Sequence, residues 1–318
     1  MISIIICTYN RAESLNQTLD ALQNLIVPEG ETVELLVVDN KSQDKTRQVV
    51  ESWVAKSRLP LRYLYEPEQG ASHARNAGIK AAQGSMLCFF DDDVIIDPEW
   101  LMSMVRLFRE TDVEMAGCRI LRKWECPAPE WYSEEVSGPV IMQDFGPDRL
   151  KMGQNGMYLI SAGLAFRKEV FERMGLFRGD LGRKGNSLIG GEDKELFDRV
   201  AASGGVIYYE PAAVIHHRVE ECRLTQDYMR RWFFAIGQTA GHQLVREPHH
   251  RFSMAPLWAW GDFFAALLRR FKSQLPGKSQ AEKFASEVLV LYTAAYLREC
   301  FVHWFPGAIK GCVFMETR

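Results

Sequence analysis

The chain has 318 residues, 47% of them hydrophobic and 25% charged. That is the balance of a soluble globular protein, long enough for one large domain or for a domain with an appendage. The net charge is −3, and residues 222–318 hold 13 Lys/Arg against 7 Asp/Glu, so the remainder carries a net charge of −9; residues 1–221 thus lack the basic character of a nucleic-acid binder.

The chain opens on Ile2-Ser3-Ile4-Ile5-Ile6-Cys7, which reads as a buried strand with no signal segment before it. Thr8-Tyr9-Asn10-Arg11 forms its exit loop. Leu15, Leu19, Leu22 and Leu25 then recur at helical spacing over Glu13 to Leu25. Val33 to Val38 is a second strand, ending in Asp39-Asn40, and Lys45 to Val54 a second helix. Leu61 to Tyr65 is a third strand, and Gln69-Gly70-Ala71 opens a third helix through Ala82.

Next comes Leu87-Cys88-Phe89-Phe90 running straight into Asp91-Asp92-Asp93. Strand alternating with helix predicts an α/β fold, a doubly wound, mainly parallel sheet flanked by helices. In such a sheet the strand ends converge on one edge, where ligands bind. Thr8 to Arg11, Asp39 and the three aspartates should therefore meet in space. Gly70 lets the backbone approach a ligand, and Arg75 and Asn76 face the same cleft. No Gly-x-Gly-x-x-Gly follows the first strand and no P-loop occurs. Phosphates there would need a cation, and Mg²⁺ or Mn²⁺ takes carboxylate oxygens. The plain alternative is a solvated acidic turn before a helix capped by Asp97-Pro98.

Residues 122–156 are broken by four prolines and four glycines and carry Trp124, Trp131 and Tyr132. They read either as a lid whose rings stack on sugars or as a loop whose rings are packed. Met157 to Phe166 is expected as a strand and Arg167 to Met174 as a short helix. Gly190-Gly191 then leads into Glu192 and Asp193 at the start of a helix to Ala202. Those acids either cap the helix or include a general base. Val206 to Tyr209 and Ala213 to Ile215 are short strands leading to His216-His217, either of which can complete a metal site.

From Leu224 onward the pattern is helical, over Tyr228 to Val245, Met254 to Phe271 and Ala281 to Phe305. A boundary at 221/222 separates a 1–221 domain from a 222–318 helical appendage. Trp232, Trp258, Trp260 and Trp304, with Arg230-Arg231 and Arg269-Arg270-Lys272, suit either a peripheral membrane contact or packing on a partner. The apolar run Val288 to Leu297 is too short for a span of about 20 residues. Seven scattered cysteines without a Cys-x-x-Cys suit a reducing, cytoplasmic setting.

Five segments in order resemble family 2 glycosyltransferases of GT-A fold over roughly residues 1–217: 4–11, 36–42, 69–78, 89–94 and Gly190-Gly191-Glu192-Asp193. The resemblance implies a nucleotide-sugar donor, uridine being the commonest base, and inversion at the anomeric carbon. Thr8, Tyr9, Asn10, Arg11, Asp39, Gln69, Gly70, Arg75 and Asn76 would line the donor pocket. Asp91 would contact the ribose, Asp92 would assist, and Asp93 with Asp91 and His216 or His217 would hold Mn²⁺ or Mg²⁺. Asp193 would be the base and Glu192 would bind a saccharide or lipid-linked acceptor. The enzyme would act in cell-surface polysaccharide or glycoconjugate synthesis, peripherally on the inner face of the cell membrane. A nucleotidyltransferase would want a glycine-rich loop after the first strand, and a non-catalytic binder would have no need of the base.

Overall fold

A computed structural model describes residues 1–153, 157–185, 187–246 and 256–304. Met254 and Phe305, named above, lie outside the described residues, as do residues 154–156 of the segment broken by prolines and glycines. The chain divides into two compact units: residues 1–125, 141–186 and 191–219 in one, and 126–140, 187–190 and 220–318 in the other.

The first unit is built on one sheet. Its strands are β1 (Ile2–Thr8), β2 (Val33–Asp39), β3 (Leu61–Tyr65), β4 (Met86–Asp91), β5 (Val94–Ile96), β6 (Met115–Trp124), β7 (Leu150–Lys151), β8 (Gly163–Arg167) and β9 (Ile207–Val219). The order is β3-β2-β1-β4-β8-β6-β9-β5, with β7 beside β9. β3, β2, β1 and β4 run parallel. The largely apolar, buried sequences of β1, β2 and β4 follow from cover on both faces, while β3 is a half-exposed edge strand. Helices α1 (Ala12–Leu22), α2 (Thr46–Val54) and α4 (Trp100–Glu110) bury Leu15, Leu19, Val50 and Trp100 with Ile4, Ile6, Val37 and Phe90 on one face. Helices α3 (Ala71–Ala81), α5 (Glu169–Met174) and α6 (Glu192–Ala202) bury Ile79, Phe171 and Leu196 with Ile5, Val38 and Phe89 on the other. The two sets alternate along β1 and β4 because successive strand side chains point to opposite faces.

The sheet departs from the parallel pattern at β8, which lies antiparallel between β4 and β6. The expected strand from Met157 is shorter, starting at Gly163. The two expected strands at 206–215 are one strand, β9, carrying an irregularity opposite Cys118 and Arg119. Pro211, which cannot donate to a ladder, sits in that irregularity. His216 and His217 therefore lie within a strand.

In the second unit, α7 (Gln226–Arg246), α8 (Leu257–Ser273) and α9 (Gln280–Trp304) form the helical part. A Cβ on Gly237 would overlap the Tyr292 carbonyl, so glycine lets α7 and α9 approach closely. Residues 126–140 belong to this unit, and Trp131 packs edge-on against Phe284 with ring centroids 4.7 Å apart. The Trp131 ring thus packs within this unit, which favours the packed-loop reading over sugar stacking for that residue.

Candidate active site

Register brings the expected residues to one edge. Thr8 lies opposite Asp39, and Cys7 opposite Asp91. The carboxyl ends of β1, β2 and β4 therefore sit side by side, as a doubly wound sheet requires. The exit loops are tied together. Asn10, at φ +52°, accepts the Gln43 N–H at 2.7 Å and donates its own N–H to the Ser42 hydroxyl. Asp39 accepts the Ser42 N–H and the Tyr63 hydroxyl, each at 2.8 Å. Each Asp39 oxygen keeps further acceptor capacity, because a carboxylate offers about four lone-pair positions. Gly70, at φ +148°, caps α3 and donates its N–H to the Asn40 side chain at 2.7 Å. That φ favours glycine, the only residue without a Cβ penalty there. Gln69 and Tyr9 are half-buried beside these turns.

The three aspartates diverge. Asp92 is buried and accepts the Thr8 hydroxyl at 2.7 Å. Arg11 reaches Asp92 at 3.3 Å and Asp93 at 3.2 Å. Burial pushes the Asp92 carboxyl up, with Arg11 opposing and Asp93 adding to the rise. Asp93 is buried as well, and its Oδ2 lies 3.5 Å from His217 Nε2. β5 sets this contact, pairing Val94 with His217, while the Arg218 N–H bonds the Asp93 carbonyl. His216 points the other way, as strand alternation demands. Asp91 is one-third exposed and faces Arg75 at 3.6 Å.

Carboxylate oxygen and imidazole nitrogen are suitable donors for Mn²⁺, so Asp93 and His217 fit an ion chemically. Among the described residues no three His, Cys, Asp or Glu side chains group tightly enough to hold one alone. An ion here would draw its remaining ligands from phosphate oxygens and water, the usual habit of Mg²⁺-type sites.

Arg75 joins this edge to the second acidic pair. It is buried, and bonds Glu192 at 2.5 Å and the Ser161 hydroxyl at 3.0 Å, with its guanidinium 5.5 Å from the Phe177 ring centroid. Burial would lower its pKa, but Glu192 and Asp91 reverse that and raise it. Asp193 accepts the Ser161 N–H at 3.3 Å and the Lys194 N–H at 2.8 Å. Burial lifts its carboxyl to about 6; Glu192 adds to the rise and Arg75 opposes it. Gly191, at φ +93°, makes the turn that presents Glu192 and Asp193 on the first turn of α6.

Two expected donor residues have other partners. Both side-chain groups of Asn76 are engaged by the Phe177 backbone, and Arg75 is held by acids. Ser161 was not anticipated: it lies in a stretch without a motif, and only tertiary packing brings it to Arg75 and Asp193. Cys7, next to this edge, has its thiol pushed up to about 12 by burial, which makes it a poor nucleophile.

The family model described as "Glycosyl transferase family 2" matches residues 3–175. Among curated relatives, the succinoglycan biosynthesis protein ExoM of Rhizobium meliloti is 28% identical over 250 residues, 78% of this chain and 76% of that protein. The glucosyl-dolichyl phosphate glucuronosyltransferase of Haloferax volcanii is 22% identical over 72% of each chain. The mannosyltransferase PcManGT of Pyrobaculum calidifontis, solved with GDP-Man and Mn²⁺, superposes with a TM-score of 0.57 at 19% identity, over 98% of this chain and 76% of that one. Residues 1–349 of S. aureus TarS, solved with UDP-GlcNAc, superpose with a TM-score of 0.54 at 16% identity, over 92% and 91%. The fold is thus that of the GT-A glycosyltransferases.

Proposed function

The chain belongs to glycosyl transferase family 2 and is a glycosyltransferase, and on that premise we propose that it moves a sugar from a nucleoside diphosphate to an acceptor hydroxyl with inversion. Uridine is the first base to test. The reading is carried by one observation: Arg75 bonds Glu192, the neighbour of Asp193, and lies 3.6 Å from Asp91 of the donor edge. Asp39 takes a base or ribose group and Asp91 the ribose, on the edge formed by Thr8 to Arg11, Gln69 and Gly70. Asp93 and His217 would hold a divalent ion, which when bound neutralises charge developing on the departing diphosphate. Arg11 already brings one positive charge to the same acids.

Asp193 accepts the acceptor's hydroxyl proton as that oxygen bonds to the anomeric carbon from the face opposite the diphosphate. The bond from the anomeric carbon to the diphosphate oxygen breaks, and the nucleoside diphosphate leaves. Arg75 fixes Glu192 and lends positive potential to Asp91 and Asp193. The names of the relatives support a role in polysaccharide or glycoconjugate synthesis; a saccharide or lipid-linked acceptor at the inner face of the membrane is our own reading. Among the described residues no helix is long and apolar enough to cross a membrane. The domain boundary we favour stays at 221/222, where β9 has ended.

The test is nucleoside diphosphate release from UDP-, GDP- and dTDP-sugars with a panel of saccharide and lipid-linked acceptors. One donor is expected to dominate; no release from any would overturn the reading. Chelation with EDTA is expected to lower the rate roughly 10²–10³-fold, the range for losing one group that stabilises developing charge, and Mn²⁺ should restore it. The two histidines separate cleanly. His217→Ala is expected to weaken Mn²⁺ binding, followed by its electron paramagnetic resonance signal, about tenfold or more. His216→Ala should leave it unchanged, and the opposite result would reassign the ligand.

A further inference from the structure

Helix α8 is built inside out. Its inward positions are small: Ala259, Ala266 and Ser273 are buried, and the Ser273 hydroxyl lies 2.7 Å from that of Ser286 on α9. Its outward positions are large and apolar. Leu257, Trp260, Phe264, Leu268 and Phe271 recur at spacings of three and four, one stripe on a helix. Leu257 is 90% exposed, Phe264 61% and Phe271 72%. An ordinary surface helix puts its large apolar residues inward. Of the eighteen exposed large apolar side chains among the described residues, seven lie on this helix. Such concentration marks an interaction face rather than scattered surface residues.

Charge identifies what covers the face. A cavity of about 380 Å³ adjoins the stripe and shares Leu268 with it. Arg269, Lys272 and Lys278 line it, against the single carboxylate of Glu282. Lys278 pairs with Glu282 at 2.7 Å and Arg269 with Glu135, which leaves Lys272, exposed in the last turn, on the outward side. Residues 222–318 as a whole hold 13 Lys/Arg against 7 Asp/Glu. A large apolar stripe flanked by cations matches the interfacial layer of an anionic bilayer, with apolar rings among the acyl chains and cations at the phosphates.

We propose that α8 lies flat in the surface of an anionic phospholipid membrane, its stripe inserted and the basic cavity beside it holding a lipid phosphate. This rests on the peripheral placement given above and identifies the element responsible. Such docking would set the transferase beside acceptors carried on lipids.

The experiment is co-sedimentation of the full chain with vesicles of phosphatidylcholine alone or with about a third phosphatidylglycerol. The wild type is expected to partition about tenfold more strongly to the anionic vesicles, and less so at high salt. The pair Phe264→Glu with Phe271→Glu should lose at least tenfold while keeping the wild-type circular dichroism and nucleotide release with a soluble acceptor. Lys272→Glu should remove most of the preference for phosphatidylglycerol. The proposal is overturned if the wild type fails to bind anionic vesicles at low salt, or if the double variant binds as well as the wild type. It is overturned equally if the chain shows no vesicle binding but forms a dimer that Phe264→Glu dissolves; that result would give the face to a second copy. A wild type that pellets with vesicles yet releases no nucleotide would sink the proposed transfer and leave the docking intact.

Discussion

Asp193→Asn is expected to bind the donor as the wild type does and to lose roughly 10²–10⁴-fold in transfer, the range a positioned general base supplies. Asparagine keeps the shape and can still accept an N–H from Ser161 or Lys194, but it takes no proton from a hydroxyl. The environment of Asp193 favours basicity. Burial lifts it to about 6, against the partial opposition of Arg75. A carboxylate near 6 is ionised at neutral pH and accepts a proton more readily than one near 4. The acid limb of kcat/KM should therefore lie near pH 6 and vanish in the variant's residual rate.

The same shift sets a sign for stability. A carboxyl raised on folding binds more protons folded than unfolded between about pH 4 and 6, so stability falls as pH rises through that window. At pH 7 the cost is fully present. Asp193 is only partly covered, so about 1–2 kcal/mol is a fair size after screening. The neutral asparagine removes it, and the variant should melt about 2–4 °C higher at pH 7.5. At pH 4.5 the gain should shrink. Differential scanning calorimetry at both values reads the difference. Transfer at the wild-type rate would remove Asp193 from the base role, and an equal gain at both values would undo the account of its environment.

The donor half of the molecule was legible because its signals are local. Ile2 to Cys7 and Val33 to Val38 are largely apolar runs that read as covered strands, Leu61 to Tyr65 is a half-exposed edge strand, and the first helix shows leucines at helical spacing. Parallel order then forces Thr8, Asp39 and Asp91 onto one edge, so the edge was derivable from topology alone. What stayed hidden depends on pairing between distant segments. β6, Met-Ala-Gly-Cys-Arg-Ile-Leu-Arg-Lys-Trp, mixes small and charged residues and ends exposed; it is a strand because β8 and β9 flank it. That His217 lies against Asp93 turns on β5, three residues long, too short to announce itself. Ser161 and the hold of Arg11 on two aspartates exist only in the folded chain. The sequence marks Glu192 and Asp193 as acids on a first helical turn, whether caps or catalysts. The buried cation between them and Asp91 is what distinguishes this turn from ordinary capping.

That cation sets the second large expectation. Arg75→Met is expected to destabilise the protein by about 3–5 kcal/mol at neutral pH, because it strands Glu192 as a buried charge without its partner. Lysine does not rescue it. A single ammonium has no planar fork with which to engage Glu192, the Ser161 hydroxyl and Asp91 together. Combining Arg75→Met with Glu192→Leu removes the stranded charge and should recover most of the lost stability, since apolar groups of similar volume can replace a buried ion pair at little cost. Transfer should not recover, because the positive potential at Asp91 and Asp193 is gone. Urea unfolding of the wild type, both single variants and the double variant closes the cycle. Strong coupling in stability, with no rescue of activity, assigns Arg75 to the joint between donor edge and base. If the two losses simply add, Arg75 and Glu192 act independently, and the link from the aspartates to α6 must run through other residues.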